Sequence, residues 1–202
     1  MKIRLFAILL AAVVLTGCGR SEKKENNNTP LTSTEIQSET ADTSGSTEST
    51  EPYIVTFEAE TTDGTAISSD CFADSKLTMI NVWATYCNPC LSEMPDLGEI
   101  AVSYDKEDFQ IIGIVSDVME FSEEAAKKEA LDLIEQTGAG TYPHIFLNQS
   151  LYSSLVGTID GVPTTFFVNQ KGELLGYLVG AQTKEAWEEL INDLLAQENQ
   201  TN

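Results

Sequence analysis

Apolar residues fall into three regimes along this chain of 202 residues. Leu5–Leu15 is an unbroken apolar block. Gly19–Pro52 holds only Leu31 and Ile36 as large apolar residues. From Tyr53 the apolar positions become periodic. Tyr53–Phe57 alternates apolar and polar, as a half-buried strand does, and Asp63-Gly64 marks a turn before a second short strand near Ala66. Leu77–Ala84 and Phe109–Val115 are apolar runs of buried-strand length, the second closing at Ser116-Asp117. Between them a helix is predicted from near Pro89 to about Tyr104, with Pro95 inside it. Ser122–Gln136 carries helix formers, with Ser122 as N-cap and Gly138 just past the end. His144–Leu147 reads as a short strand and Leu151–Val156 as a short helix. Thr164–Val168 and Leu174–Val179 flank a hairpin turn at Asn169-Gln170-Lys171-Gly172. Trp187, Leu190, Ile191, Leu194 and Leu195 recur at threes and fours, so Thr183–Ala196 is a closing amphipathic helix. Strands alternating with helices and ending in a hairpin predict an α/β domain with a mixed β-sheet, helices on both faces, and a β-hairpin extension at its N-terminus. No internal repeat is visible.

The first two regimes divide the chain. Lys2 and Arg4 precede the apolar block, whose 11 residues are too few to span a bilayer and suit the core of an export signal. The block ends in Leu15-Thr16-Gly17-Cys18. This resembles the bacterial lipoprotein signal, which implies cleavage after residue 17 and lipidation of Cys18. An ordinary secretory signal is the alternative. Two acyl chains anchor a protein stably where one does so marginally. The resemblance therefore implies a protein anchored by lipid on the extracytoplasmic face of a bacterial cell membrane. Gly19–Pro52 holds 13 Ser/Thr, 7 acids and 3 bases. It lacks the apolar surface to offset its chain entropy and reads as a disordered tether. The expected organisation is a signal over 1–17, the lipidated Cys and tether over 18–52, and one domain over 53–202.

Charge narrows the function. The chain carries 11 Lys+Arg against 32 Asp+Glu, a formal net charge of −21. Nucleic acid and electrostatic docking on anionic lipid are excluded, because both need cationic surface. Four Cys are too few for a disulfide-stapled scaffold.

The chemistry sits in Trp83-Ala84-Thr85-Tyr86-Cys87-Asn88-Pro89-Cys90, where an apolar strand gives way to a helix. Unpaired backbone N–H groups and the positive end of a helix dipole stabilise a thiolate at Cys87. Pro89 suits the first helical turn, where its missing N–H costs nothing. Three positions apart, both sulfurs lie on one helical face, which allows a disulfide. Glu93 continues the stripe at i+6 from Cys87.

These residues resemble the thioredoxin-like superfamily, and within it the TlpA/ResA-type branch of membrane-anchored thiol–disulfide oxidoreductases. Gly161-Val162-Pro163-Thr164-Thr165-Phe166 strengthens the resemblance. It implies a redox-active Cys87–Cys90 disulfide, with a cis Pro163 facing the pair and a Val162 backbone that pairs with an incoming peptide. Trp83 and Tyr86 are implied beside the sulfurs as substrate contacts. Thioredoxin has a buried Asp six residues before its first Cys, whereas this chain has Asn81. The branch instead carries a Glu three residues after the second Cys, which gives Glu93 the role of proton acceptor. A plain first-turn acid is the alternative. No cofactor is implied. The implied partners are exported protein thiols and disulfides, apocytochrome c among them, with a membrane thiol transporter of the CcdA/DsbD type as electron donor. The implied direction is reduction.

Other readings use the same residues. Two Cys are half of a zinc site, and only Cys71, His144 and scattered acids are left to complete one. A Cu(I) chaperone on the same scaffold would use both thiolates. The related Sco-type proteins have three residues between their Cys and a downstream His, whereas here only Asn88 and Pro89 intervene. A thiol peroxidase shares the fold, but its usual loop is missing around Cys87. Cys71 reads as a semi-buried small hydrophobe or as a third, resolving thiol, and His144 as the first residue of a strand.

Overall fold

The structure is a computed structural model that describes residues 51–201. The expected signal at 1–17, Cys18, and the expected tether apart from its last two residues lie outside the described residues. Described strands are β1 (Glu58–Glu60), β2 (Ala66–Ser68), β3 (Leu77–Trp83), β4 (Phe109–Met119), β5 (His144–Leu147), β6 (Thr164–Asn169) and β7 (Leu174–Val179). Helices are α1 (Asn88–Ala101), α2 (Glu124–Gln136), α3 (Gln149–Ser154) and α4 (Lys184–Thr201). One sheet has the order β5-β4-β3-β6-β7. β3 runs parallel to β4, and β4 to β5, while β3–β6 and β6–β7 are antiparallel. The sheet is therefore mixed, as the terminal hairpin required. β1 and β2 form a separate two-stranded hairpin, turned at Gly64 with φ +86°.

Side-chain alternation splits the core into two layers. Every residue of β3 is buried, because the strand is central and covered on both faces. Leu77, Met79 and Trp83 face a cluster with Met94, Leu97 and Ile100 of α1, Ala130 and Ile134 of α2, and Trp187 and Ile191 of α4. Ile80 and Val82 face the other side, covered by Val55, Phe57, Phe72 and the Leu151–Val156 segment. α1 runs through Pro95 without ending, held on the sheet by its buried stripe.

Several expectations change. Tyr53–Phe57 keeps its alternation, with Val55 and Phe57 buried, but forms no strand. A single bridge joins Ile54 to Glu173, and the next backbone contact is Val55 N–H to Gly172 O, 2.8 Å. Leu174 N–H to Tyr53 O, also 2.8 Å, completes that bridge. Ser122 does not cap α2: Glu123 occupies that position without a side-chain bond, and Ser122 Oγ accepts from Met119 N–H at 2.9 Å. β4 extends to Met119, beyond the apolar run, because β5 pairs with it across a register shift. The 3₁₀ turn at Ser69–Asp74 had no periodic signature.

Candidate active site

Cys87 is the N-cap of α1, and Pro89 lies in the first turn. Its Sγ accepts from Cys90 N–H at 3.2 Å, one of the N–H groups a helix start leaves without an intrahelical partner. Cys87 and Cys90 are joined as a disulfide with their Cα atoms 5.3 Å apart. Cys90 is completely buried, and Cys87 keeps only 5% of its surface. Of the two residues, Cys87 is the less deeply buried.

The corner that presents Cys87 is anchored from β4. Both carboxylate oxygens of Asp117 accept from Thr85 N–H at 3.1 Å, and Thr85 Oγ1 donates to Asp117 Oδ2 at 2.6 Å. Ser116 Oγ donates to Trp83 O at 2.9 Å. In the sequence Ser116-Asp117 marks only a strand end; the parallel register of β3 and β4 gives it this second role.

Glu93 is nearly sealed, at 2% exposure. Three donors converge on it: Asn81 Nδ2 at 3.1 Å, Gln182 N–H at 3.1 Å and Trp187 Nε1 at 3.3 Å. Burial pushes its pKa above the usual carboxylate range, and these donors pull against that without reversing it. It borders a cleft of about 620 Å³ lined also by Pro89, Ser92, Asp96, Gln182 and Lys184.

The Val162–Pro163 peptide bond is cis. β6 begins one residue later, and Pro163 O accepts from Gly180 N–H at 2.8 Å. Val162, half-buried, packs on the apolar cluster that contains Cys87 and Cys90. Tyr86 is 74% exposed, an aromatic ring offered to solvent at the site's edge. Trp83 is not so placed: it is fully buried and offers no surface to an incoming chain. Its Nε1 donates to His144 Nδ1 at 3.3 Å, and His144 Nε2 contacts Ala139 O at 3.0 Å. Both contacts together require the neutral tautomer with its proton on Nε2. Burial lowers the His144 pKa to about 4. Neither ring nitrogen is open to the copper ion of the alternative reading.

Cys71 lies in the 3₁₀ turn against the opposite core layer, with its carbonyl on Gln110 Nε2 at 2.8 Å. Gln110 pairs with Thr78 near the start of β3, whereas Cys87 follows the end of that strand. A seven-residue strand separates them by roughly 20 Å. Burial raises the Cys71 thiol pKa to about 11. Cys71 is thus a semi-buried hydrophobe and does not reach the pair as a resolving thiol.

The described geometry matches known proteins. Residues 47–194 match the Redoxin family model. A thiol-disulfide oxidoreductase ResA of Oceanobacillus iheyensis is 28% identical over 126 residues, 62% of this chain and 61% of that protein. The chain thus spans less than two thirds of the length of that relative. A thioredoxin family thiol:disulfide interchange protein of Chlorobium tepidum superposes with a TM-score of 0.61 at 25% identity, covering 72% of this chain and 97% of that one. The exposed lipoprotein thioredoxin Etrx1 of Streptococcus pneumoniae shares the fold, with a TM-score of 0.56 at 20% identity over 68% of this chain and 98% of that one. With a disulfide at the start of α1, a cis Val162–Pro163 bond just before β6, and a family match across most of its length, this chain belongs to the Redoxin family as a TlpA/ResA-type thioredoxin-like protein.

Proposed function

We propose that this protein is an extracytoplasmic thiol–disulfide oxidoreductase that exchanges disulfides with exported proteins, in the reducing direction. The observation that carries the reading is the Cys87–Cys90 disulfide at the start of α1, with Cys90 completely buried and Cys87 keeping 5% of its surface. In the reduced protein the Cys87 thiolate attacks a sulfur of the substrate disulfide. A Cys87–substrate bond forms, the substrate S–S bond breaks, and the electron pair leaves on the other substrate sulfur, which takes a proton from water. Glu93 then accepts the proton of Cys90, directly or through water. The Cys90 thiolate attacks Cys87, closing the protein disulfide and releasing the second substrate thiolate. Two electrons pass from the dithiol to the substrate, and the reverse steps oxidise a dithiol.

Tyr86 supplies an aromatic contact, and Val162 with Pro163 holds the incoming chain beside the sulfurs. Trp83 supports the corner from below. A membrane thiol transporter of the CcdA/DsbD type re-reduces the pair, and lipid on Cys18 holds the protein on the outer face of the cell membrane. The printed name of the Oceanobacillus relative supports the thiol–disulfide chemistry. The test is reduction of insulin disulfides by the full chain with dithiothreitol as donor. Turnover above the uncatalysed rate that disappears in Cys87→Ser is expected; equal rates with and without the protein overturn the reading. Equilibration with thiol buffers then sets the direction: a potential near −270 mV, about that of thioredoxin, fits a reductase, and one near −120 mV a disulfide former.

A further inference from the structure

Among the described residues two buried side-chain atoms have no hydrogen-bond partner, Asn81 Oδ1 and the Tyr142 hydroxyl. Both residues belong to the surroundings of Glu93. Asn81 bonds to it, and its negative charge acts on Tyr142. A bare buried acceptor is costly, so the Asn81 oxygen calls for a reason.

The three donors on Glu93 differ in kind. The Gln182 N–H belongs to the backbone, and the Trp187 indole is fixed by a ring wedged in the core. Both only donate. They suit a carboxylate and offer nothing to the proton of a carboxylic acid. The Asn81 amide is the exception, because it donates from one side, accepts from the other, and has nearly the same shape either way round. Its second contact is equally reversible. Thr165 Oγ1 accepts from Asn81 Nδ2 at 3.1 Å, and a hydroxyl also donates.

We propose that Asn81 is the positioning residue that follows the protonation of Glu93: Nδ2 donates to the carboxylate, and the amide turns so that Oδ1 accepts from the acid formed when Glu93 takes the Cys90 proton. The inference rests on the thiol–disulfide reading. The step breaks the Cys90 S–H bond and forms a Glu93 O–H bond, and the electron pair stays on sulfur for the attack on Cys87. A partner in both protonation states keeps a buried carboxyl from being stranded in either. Thioredoxin's Asp position is thereby filled by a group that cannot take the proton itself but can attend the one that does. The other titratable groups about Glu93 are Cys90 and Asp96 on α1, Tyr142 ahead of β5, and Lys184 and Glu185 across the cleft. β3 and β6 present only the neutral Asn81 and Thr165.

The test is a pH titration of the oxidised full chain by NMR, following Glu93 Cδ and the Asn81 side-chain amide together. The two are expected to share one midpoint, and Glu93→Gln is expected to abolish the Asn81 response. An Asn81 amide that stays constant while Glu93 titrates overturns the proposal. Kinetics supply a second arm. Asn81→Leu keeps the volume but can neither donate nor accept, whereas Asn81→Ser loses volume but does both. Loss of one hydrogen bond to a charged group predicts a fall of about tenfold in the exchange rate for Leu, and a smaller fall for Ser. The opposite ranking, Leu better than Ser, marks a space-filling role and overturns the proposal. If Asn81→Leu fails to fold, the titration of the unaltered protein decides. Absence of exchange in the unaltered protein would defeat the thiol–disulfide reading while leaving the coupled titration of Asn81 and Glu93 standing.

Discussion

Cys87 and Cys90 are chemically alike, and their positions make them different. Cys87 caps a helix and keeps a little solvent contact, while Cys90 lies one turn inward and has none. An incoming disulfide therefore meets Cys87 first. Cys90→Ser is expected to accumulate a mixed disulfide on Cys87, seen as an adduct by mass spectrometry of the quenched reaction, and Cys87→Ser to form none. Glu93 carries the next prediction. Its pKa is raised by burial, so it becomes a proton acceptor only above the ordinary carboxylate range. Exchange by the unaltered protein should rise with pH as Glu93 ionises. Glu93→Gln should remove that rise and slow resolution by about 10²-fold, the lower end for general base catalysis. Stopped-flow measurement between acid and neutral pH checks both, and an unchanged profile assigns Glu93 to structure alone.

At the scale of elements, the site is a meeting of four pieces. The corner after β3, the end of β4, the cis-proline loop before β6 and the start of α4 each supply one part. Gly113 in β4 is critical to their fit. A Cβ placed there would stand 2.2 Å from His144 Nδ1, the atom that accepts the Trp83 indole. Gly113→Ala must therefore push the imidazole off its two partners. We expect a loss of about 2–3 kcal/mol, the range for overpacking plus a stranded buried donor, read as a lower denaturant midpoint. An Ala variant as stable as the parent would show that the ring has room to move.

For the whole molecule, the one histidine contributes a separable part of the pH dependence of stability. His144 is neutral when folded, with a pKa of about 4 against an ordinary value of 6.5. The unfolded chain binds its proton first as pH falls, so the stability linked to neutral His144 is complete above pH 6.5. It drains away as pH drops toward 4, by on the order of 3 kcal/mol. Thermal melts of the unaltered protein should show that extra slope between these limits. His144→Gln, which cannot titrate, should lack it, and parallel pH curves for the two would disprove the assignment. Acid titration of carboxylates is common to both proteins and cancels in the difference.

Local signals along the chain set the strand-to-helix corner, the spacing of the Cys pair and the order of the elements, because these depend on neighbours within a few residues. The apolar run of β3, the proline at the first turn of α1 and the Trp187–Leu195 stripe are local signals, and each acts where it stands. Tertiary structure alone decided what lies beside them. Asp117 reaches Thr85 across 32 residues, Trp187 reaches Glu93 across 94, and His144 reaches Trp83 across 61. Chain order carries no trace of such contacts, since they arise from strand register and helix packing. For the same reason Trp83 is sealed in the core, Ser122 serves a turn instead of a helix, and Tyr53–Phe57 is buried without becoming a strand. Residue type sets what each group can do, and packing sets whether water, a proton or another chain can reach it.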